Sequence, residues 1–402
     1  MYLAGKARIM VDMDTWRLGH RPALDGVRGI AILLVLGDHS GLLPQPIGVI
    51  GVTVFFVLSG FLITHVIAEA RHAGRWSMRS FMGNRAARLV PALIVMVATV
   101  SIAQIVSGTG ERLVVERVVK AVLYVQNFFA EWDRSGPFRH AWSLAVEEQF
   151  YLIWPLAVGW ILSRRRPMRL LGWVVAVSLV TRVALYVAGG HEMAYALLPT
   201  NAFALLLGCM LAIGRVRVER PGRTVAIGIV GLILTMDLIA PIPSDARWLV
   251  APMLAALAAV ALVAGAAQGS RWLELMPLRF AGRISYALYL WHYPLLKLTG
   301  TYGDGVSAIW ILLFSVGLAT TSTLWLEEPV RRWWRARSEP TTLANAGHLA
   351  EELVGRHALG RGAPRGRQEP DVRGRNDLGD GPEPSEPLHP VGRDVGAPRV
   401  RG

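Results

Sequence analysis

Long apolar stretches alternate along the chain with short arginine-rich links. Charge-free runs at 46–68, 89–110, 193–214, 248–270 and 305–326 each reach the roughly 20 residues that a helix needs to cross the hydrocarbon of a bilayer. Further apolar stretches of similar length are broken only by isolated polar residues. The pattern predicts ten transmembrane helices near 29–42, 47–68, 89–107, 143–163, 169–187, 195–214, 224–240, 248–268, 284–299 and 306–326. The segment 113–130 is also apolar, but Glu116, Arg117 and Lys120 interrupt it, which predicts an amphipathic stretch on the outer surface.

Composition agrees with this reading. Of 402 residues 53% are hydrophobic and 18% charged, fewer charges than the roughly 25% that covers a soluble domain. The expected class is therefore all-α, a polytopic membrane protein with about ten spans. On this threading one side holds 25 Lys and Arg and the other six, which places both termini in the cytoplasm. Residues 1–20 read as a cytoplasmic N-terminal segment without a cleaved leader, and 21–337 as the membrane domain. Residues 338–402 mix nine Arg with ten acids, eight Pro and eleven Gly, a composition expected to be disordered and unsuited to a nucleic-acid arm. The single cysteine, Cys209, excludes a disulfide framework or CxxC site. No metal or nucleotide signature occurs. The 39 Arg against three Lys reflect GC-rich coding, and a bacterial plasma membrane is the expected location.

Ionisable residues within spans are costly and mark candidate chemistry. Arg28 and His39 stand eleven residues apart on the first span, which puts both on one helix face about 16 Å apart along the axis. Asp38 is adjacent. An imidazole suits general-base activation of a hydroxyl and an arginine suits a phosphate, although Arg28 alone also fits a positive-inside anchor. The run HAWSLAVEEQFYLIWP, 140–155, places His140, Glu147, Glu148 and Gln149 at the start of the fourth span, with Ser143 as a candidate helix cap. Arg85 and Arg88, in an inner loop at 77–91, share the i,i+3 spacing of a phosphate clamp or of an interfacial basic helix. His292 lies midway along the ninth span among Tyr289, Trp291 and Tyr293.

Together these segments resemble the acyltransferase 3 group of multi-span membrane acyltransferases. The resemblance runs from about residue 20 to 335 and rests on RPALDGVRGIA with the Arg28-x10-His39 spacing, FFVLSGFLI at 55–63, the Arg85-x-x-Arg88 pair, WSLAVEEQFYLIWP at 142–155, ISYALYLWHYP at 284–294 and Glu328-Pro329. It implies transfer of an acyl group, acetyl by default, from cytoplasmic acyl-CoA as co-substrate, with no bound cofactor. The acceptor would be a hydroxyl of a surface glycan, lipid-linked sugar or small molecule. His39 would be the base or acyl relay, Asp38 its orienting partner, and Arg28, Arg85 and Arg88 the acyl-CoA ligands. Glu147 and Glu148 would position His39 or the acceptor, with His292 in the pocket. Some relatives carry a fused esterase-like domain. No such nucleophile segment follows the last span here, so direct transfer, or completion by a separate extracytoplasmic transferase, is expected.

Two other readings stand beside this one. His20 and Asp25 match the H-x4-D pattern of glycerolipid acyltransferases, without the soluble α/β domain that carries it. Ten spans with intramembrane Arg182 and Asp237 would suit a transporter or flippase, which should also show an internal repeat; no convincing one is found.

Overall fold

The computed structural model describes residues 18–129 and 136–338; the expected tail and most of the N-terminal segment lie outside them. Among the described residues every regular element is helical. The order is α1 (Pro22–Ser40), α2 (Ile47–His72), α3 (Met78–Val106), α4 (Glu111–Val122), two 3-10 turns (Gln126–Phe128 and Gly136–Ala141), α5 (Trp142–Leu162), α6 (Pro167–Val187), α7 (His191–Ala196), α8 (Leu198–Gly214), α9 (Pro221–Ile239), α10 (Ser244–Ala267), α11 (Met276–Arg283), α12 (Ser285–Leu298), α13 (Val306–Ser322) and, after a π-turn at Thr323–Glu327, α14 (Glu328–Ser338). Helices follow from the solvent: hydrocarbon offers backbone N–H and C=O groups no partner, so each span must satisfy its own. Pro22, Pro167 and Pro221 sit in first turns, where a missing N–H costs nothing.

Each of the ten expected stretches is helical. Among the described residues seven helical segments are long and apolar enough to cross a membrane, including α2, α3, α6 and α9. The expected spans that fall short are α1, α5 and α12. Asp25, Arg28 and Asp38 lie on α1, Glu147, Glu148 and Gln149 on α5, and α12 has only 14 residues. Three of the four helices that carry the candidate chemistry are thus ones that hydropathy passes over; α3, with Arg85 and Arg88, is the exception.

Close packing places α2 at the centre. In its most apolar window 83% of the residues are buried, against 17% in α6 and in the α13 segment, whose Trp173 and Trp310 face outward. Small residues let backbones approach, as membrane helices require. A Cβ on Gly60 would lie 1.9 Å from the Leu205 carbonyl oxygen, and one on Gly208 1.9 Å from that of Val57, so α2 and α8 cross at backbone contact. Gly29 and Gly282 bring α1 and α11 together in the same way. Cys209, on the buried face of α8, points its thiol at the Gly60 carbonyl.

Several local expectations change. Arg85 and Arg88 lie inside α3 rather than in a loop, because Ser77 accepts the Ser80 N–H and starts the helix early. The amphipathic 113–130 segment is the short helix α4 followed by a 3-10 turn. Ser143 does not cap α5: the 3-10 turn at 136–141 runs directly into the helix, and the Ser143 hydroxyl meets that of Tyr289 at 2.7 Å. Arg182 is buried but structural, donating to carbonyls of Ala194, Thr200, Trp248 and Leu249 and to Asn201 Oδ1. Asp237 is exposed near the end of α9. Arg182 is thus taken up by main-chain carbonyls and Asp237 lies at the surface, so neither is an unmet buried charge. His20 is exposed and pairs with Asp25, which also accepts from Arg28, so these residues brace the entry to α1.

The crossing of α2 and α8 makes a direct prediction. Gly208→Val must separate the two backbones, and overpacking of this kind costs ~1–3 kcal/mol or more; a clear fall in Tm of the detergent-solubilised protein is expected. Gly172→Ala on α6, where an added Cβ meets nothing within 4 Å, should leave Tm unchanged or slightly raised. Equal behaviour of the two variants would show that the crossing does not limit stability.

Candidate active site

A cavity of about 670 Å³ starts among arginines at one end of the bundle. Arg28 comes from α1, Arg75 from the α2–α3 link, Arg85 and Arg88 from α3, and Arg331 and Arg335 from α14. Arg28 donates to Asp25 at 3.0 Å. Arg85 donates to Glu148 and stacks 3.4 Å above the Tyr151 ring, a geometry that the planar guanidinium allows and an ammonium would not. Like charges gathered in one mouth repel, so the cluster is arranged for a polyanion.

Arg331 and Arg335 were not singled out in the sequence. They read there as ordinary inner-side charges, and only the turn of α14 over the end of α3, with Trp334 against Gly83, brings them to the cavity. Glu328, of the Glu328-Pro329 pair, fixes that turn through Arg332 at 3.0 Å and Arg283 at 3.7 Å.

Further in, the cavity passes Ser59 on α2, whose hydroxyl donates to Glu147 at 2.9 Å. It reaches Ser143 and Tyr289, and the Tyr289 hydroxyl donates to the His140 carbonyl at 2.8 Å. Glu147 and Glu148 therefore belong to the arginine half of the site, bound to Ser59 and Arg85. The expectation that a carboxylate from this pair positions His39 is corrected: the side chain hydrogen-bonded to His39 is an imidazole.

His39 Nδ1 lies 2.9 Å from His292 Nε2. The other nitrogen of His292, Nδ1, lies 2.9 Å from the Leu288 carbonyl oxygen. A carbonyl can only accept, so in the neutral rings the proton of His292 is on Nδ1 and its Nε2 accepts. His39 must then donate from Nδ1, which leaves the lone pair of its Nε2 as a base. Tyr293 packs edge-on to His39 at 5.0 Å and Tyr302 lies at 5.6 Å. The link after α12 closes over the helix end, with Gly303 N–H donating to the His39 carbonyl at 3.0 Å and Gly305 N–H to that of Ser40 at 2.7 Å.

Asp38 does not orient the ring. Its Oδ2 is 3.9 Å from His39 Nε2, too long for a hydrogen bond, and its carboxylate faces the N–H groups of Ile47 and Gly48 at the start of α2, where an acid at a helix N-terminus is favoured. His140, which the sequence placed at the start of the fourth span, is the third imidazole here, 5.9 Å from His292 between the rings of Tyr289 and Tyr293. Burial and the neighbouring His292 hold it neutral, well below the ordinary imidazole range. The site thus has a cationic mouth and, about three helical turns along α1, a paired imidazole. Among the described residues no three His, Cys, Asp or Glu side chains converge as a metal ion needs.

Comparison with known proteins accords with this geometry. The family model described as an acyltransferase domain matches residues 21–328. The O-acetyltransferase OatA of Staphylococcus aureus strain NCTC 8325 is 28% identical over 344 residues, covering 77% of this chain and 57% of the relative. The peptidoglycan O-acetyltransferase OatA of Listeria monocytogenes is 30% identical over 350 residues, covering 77% and 56%. The chain therefore spans somewhat more than half the length of these curated relatives. No solved structure matches it. With its arginine mouth, its imidazole pair and a match over most of its described length, the chain belongs to the acyltransferase 3 family of membrane acyltransferases.

Proposed function

We propose that the protein is a multi-pass O-acyltransferase of the bacterial plasma membrane that moves an acetyl group from cytoplasmic acyl-CoA to a hydroxyl of a cell-wall glycan. One observation carries this reading: a single cavity joins six arginines to the wall of aromatic and hydroxyl groups beside the His39–His292 pair. All ten long helices would cross the bilayer, α1, α5 and α12 shielded by their neighbours. Both termini and the arginine mouth would then lie on the cytoplasmic side, where the charge bias of the links puts them. Residues 21–337 would form the catalytic membrane domain, with 338–402 a cytoplasmic tail.

The chemistry follows from the atoms present. The arginines hold the phosphates of the donor, and its long thiol-bearing arm runs along the cavity so that the thioester reaches the far wall. His39 Nε2 takes the proton of the acceptor hydroxyl as its oxygen attacks the thioester carbon. The C–S bond breaks, the thiolate leaves, and the proton returns to sulfur from the imidazolium. Acetyl thioester and alcohol become ester and free thiol, with nothing else consumed. His292, fixed by Leu288, keeps the His39 tautomer that leaves Nε2 unprotonated. The acceptor class is carried over from the relatives' names: peptidoglycan is the acceptor in the Listeria protein's own. Transfer is direct in this reading, with completion by a separate extracytoplasmic transferase as the outcome if the acetyl group leaves the membrane domain on another protein.

Release of CoA from acetyl-CoA by the protein in nanodiscs, with a glycan acceptor present, tests both halves. His39→Ala should lower kcat by ~10²- to 10⁴-fold, the worth of a positioned base. Unchanged turnover would remove the imidazole from the chemistry. Arg331→Ala with Arg335→Ala should raise the acetyl-CoA KM about tenfold while kcat moves little, since charge-assisted contacts are worth ~1.5–3 kcal/mol each before solvent screening. A wild-type KM in that double variant would show that the donor does not sit at this mouth.

A further inference from the structure

A second cavity, of about 330 Å³, lies at the opposite end of the bundle from the arginine mouth. Its position follows from chain direction: helices joined by short links alternate, so the end of α6, all of α7 and the start of α10 share the end at which α1 delivers His39. Its wall includes Tyr186 on α6, Glu192 and Tyr195 on α7, Trp248 on α10 and Arg139 from the 3-10 turn before α5. The rings of Tyr195 and Trp248 meet edge to face at 5.1 Å, and Tyr195 is held from behind by Trp142 at 4.5 Å. Arg182, on the same wall, holds the main-chain carbonyls of Trp248, Leu249 and Ala194, so the buried guanidinium fixes the shape of the cavity.

The two cavities share no lining residue but are linked by a short chain of side-chain contacts. The first ends at Ser143 and Tyr289, and Tyr289 holds the carbonyl of His140. The second includes Arg139, the residue before His140, whose guanidinium donates to the Tyr293 hydroxyl. Tyr293 in turn packs on His39 at 5.0 Å and on His140 at 4.9 Å. His39 lines neither cavity, but it is tied to the basic one through His292 and Tyr289 and to the aromatic one, which carries a carboxylate and a guanidinium, through Tyr293 and Arg139. Rigid aromatic faces suit the C–H face of a pyranose ring, and a few fixed charged groups suit its hydroxyls. A carboxylate and a guanidinium on the wall suit a hydroxylated ring better than a lipid tail.

We propose that this second cavity is the acceptor site and takes a pyranose ring of a glycan, stacked on Trp248 and Tyr195 with its hydroxyls held by Glu192 and Arg139. The proposal rests on the acyltransferase reading and deepens it: donor and acceptor approach His39 from opposite sides. The acceptor hydroxyl then reaches the imidazole without passing through the donor cavity.

The test is calorimetric titration of the full chain in nanodiscs with two probes, a β-1,4-linked N-acetylglucosamine tetrasaccharide and coenzyme A. Wild type, Trp248→Ala and Glu192→Gln are compared. The tetrasaccharide should bind wild type and bind both variants at least tenfold more weakly, while coenzyme A binds all three alike and reports that they are folded. Glu192 is exposed, so its variant keeps the test decisive should Trp248→Ala not fold. Equal tetrasaccharide affinity in wild type and Glu192→Gln, or no tetrasaccharide binding by wild type that binds coenzyme A, would overturn the acceptor site. If wild type does not bind coenzyme A but tetrasaccharide binding still falls in the variants, the donor assignment fails and the glycan site stands.

Discussion

A polar side chain inside a bilayer must be answered by another polar group, and in this protein those answers are the joints between helices. His39 with His292 joins α1 to α12, Ser59 with Glu147 joins α2 to α5, and Arg85 with Glu148 joins α3 to α5. Ser143 with Tyr289 ties α5 to α12, and Trp154 with Thr64 ties α5 to α2. Apolar packing alone discriminates poorly between helices surrounded by apolar lipid. The polar pairs supply the missing specificity, so the groups that would perform the chemistry also set the arrangement that brings them together.

This dual use explains what the sequence shows and what it hides. The ten apolar stretches were legible because hydrocarbon imposes a length and a composition, and the Arg28-x10-His39 spacing because helix geometry turns eleven residues into a shared face. The partner of His39 was not legible: 253 residues separate it from His292, and a lone histidine in an aromatic stretch looks the same whether it packs or pairs. Glu147 and Glu148 were expected near His39 from their place at the start of a span, but α5 turns both toward the arginines. Asp38 was misread for a related reason: adjacency in sequence suggested a partner for the ring, while its carboxylate faces the open N-terminus of α2.

The arginine mouth shows a different limit. Arg331 and Arg335 carry the same signal as any basic residue at a cytoplasmic helix end. What separates them from Arg332 and Arg337 is the direction in which α14 leaves the π-turn, and that direction depends on the Glu328 ion pairs and on Trp334 lying against Gly83. Tertiary contacts of this kind leave no local pattern. Spacing can place two residues on one face, but it cannot say what that face will meet.

The weak hydropathy of α1, α5 and α12 bears on how the chain enters the membrane. Charged residues cost an inserting helix most at its middle, ~2.5–3.5 kcal/mol each; α1 carries Asp25, Arg28 and Asp38 toward its two ends and still falls short of a span by composition. In all three cases, however, the next long helix is strongly apolar and follows a link of only a few residues: α2 after α1, α6 after α5 and α13 after α12. On the ten-span reading proposed above, each polar helix would be carried in as the first arm of a hairpin whose second arm supplies the driving force. The order of helices along the gene is in this sense part of the biogenesis of the protein, because a permutation that parted any of these pairs would strand its most polar helices at the surface before the partners they need had been made.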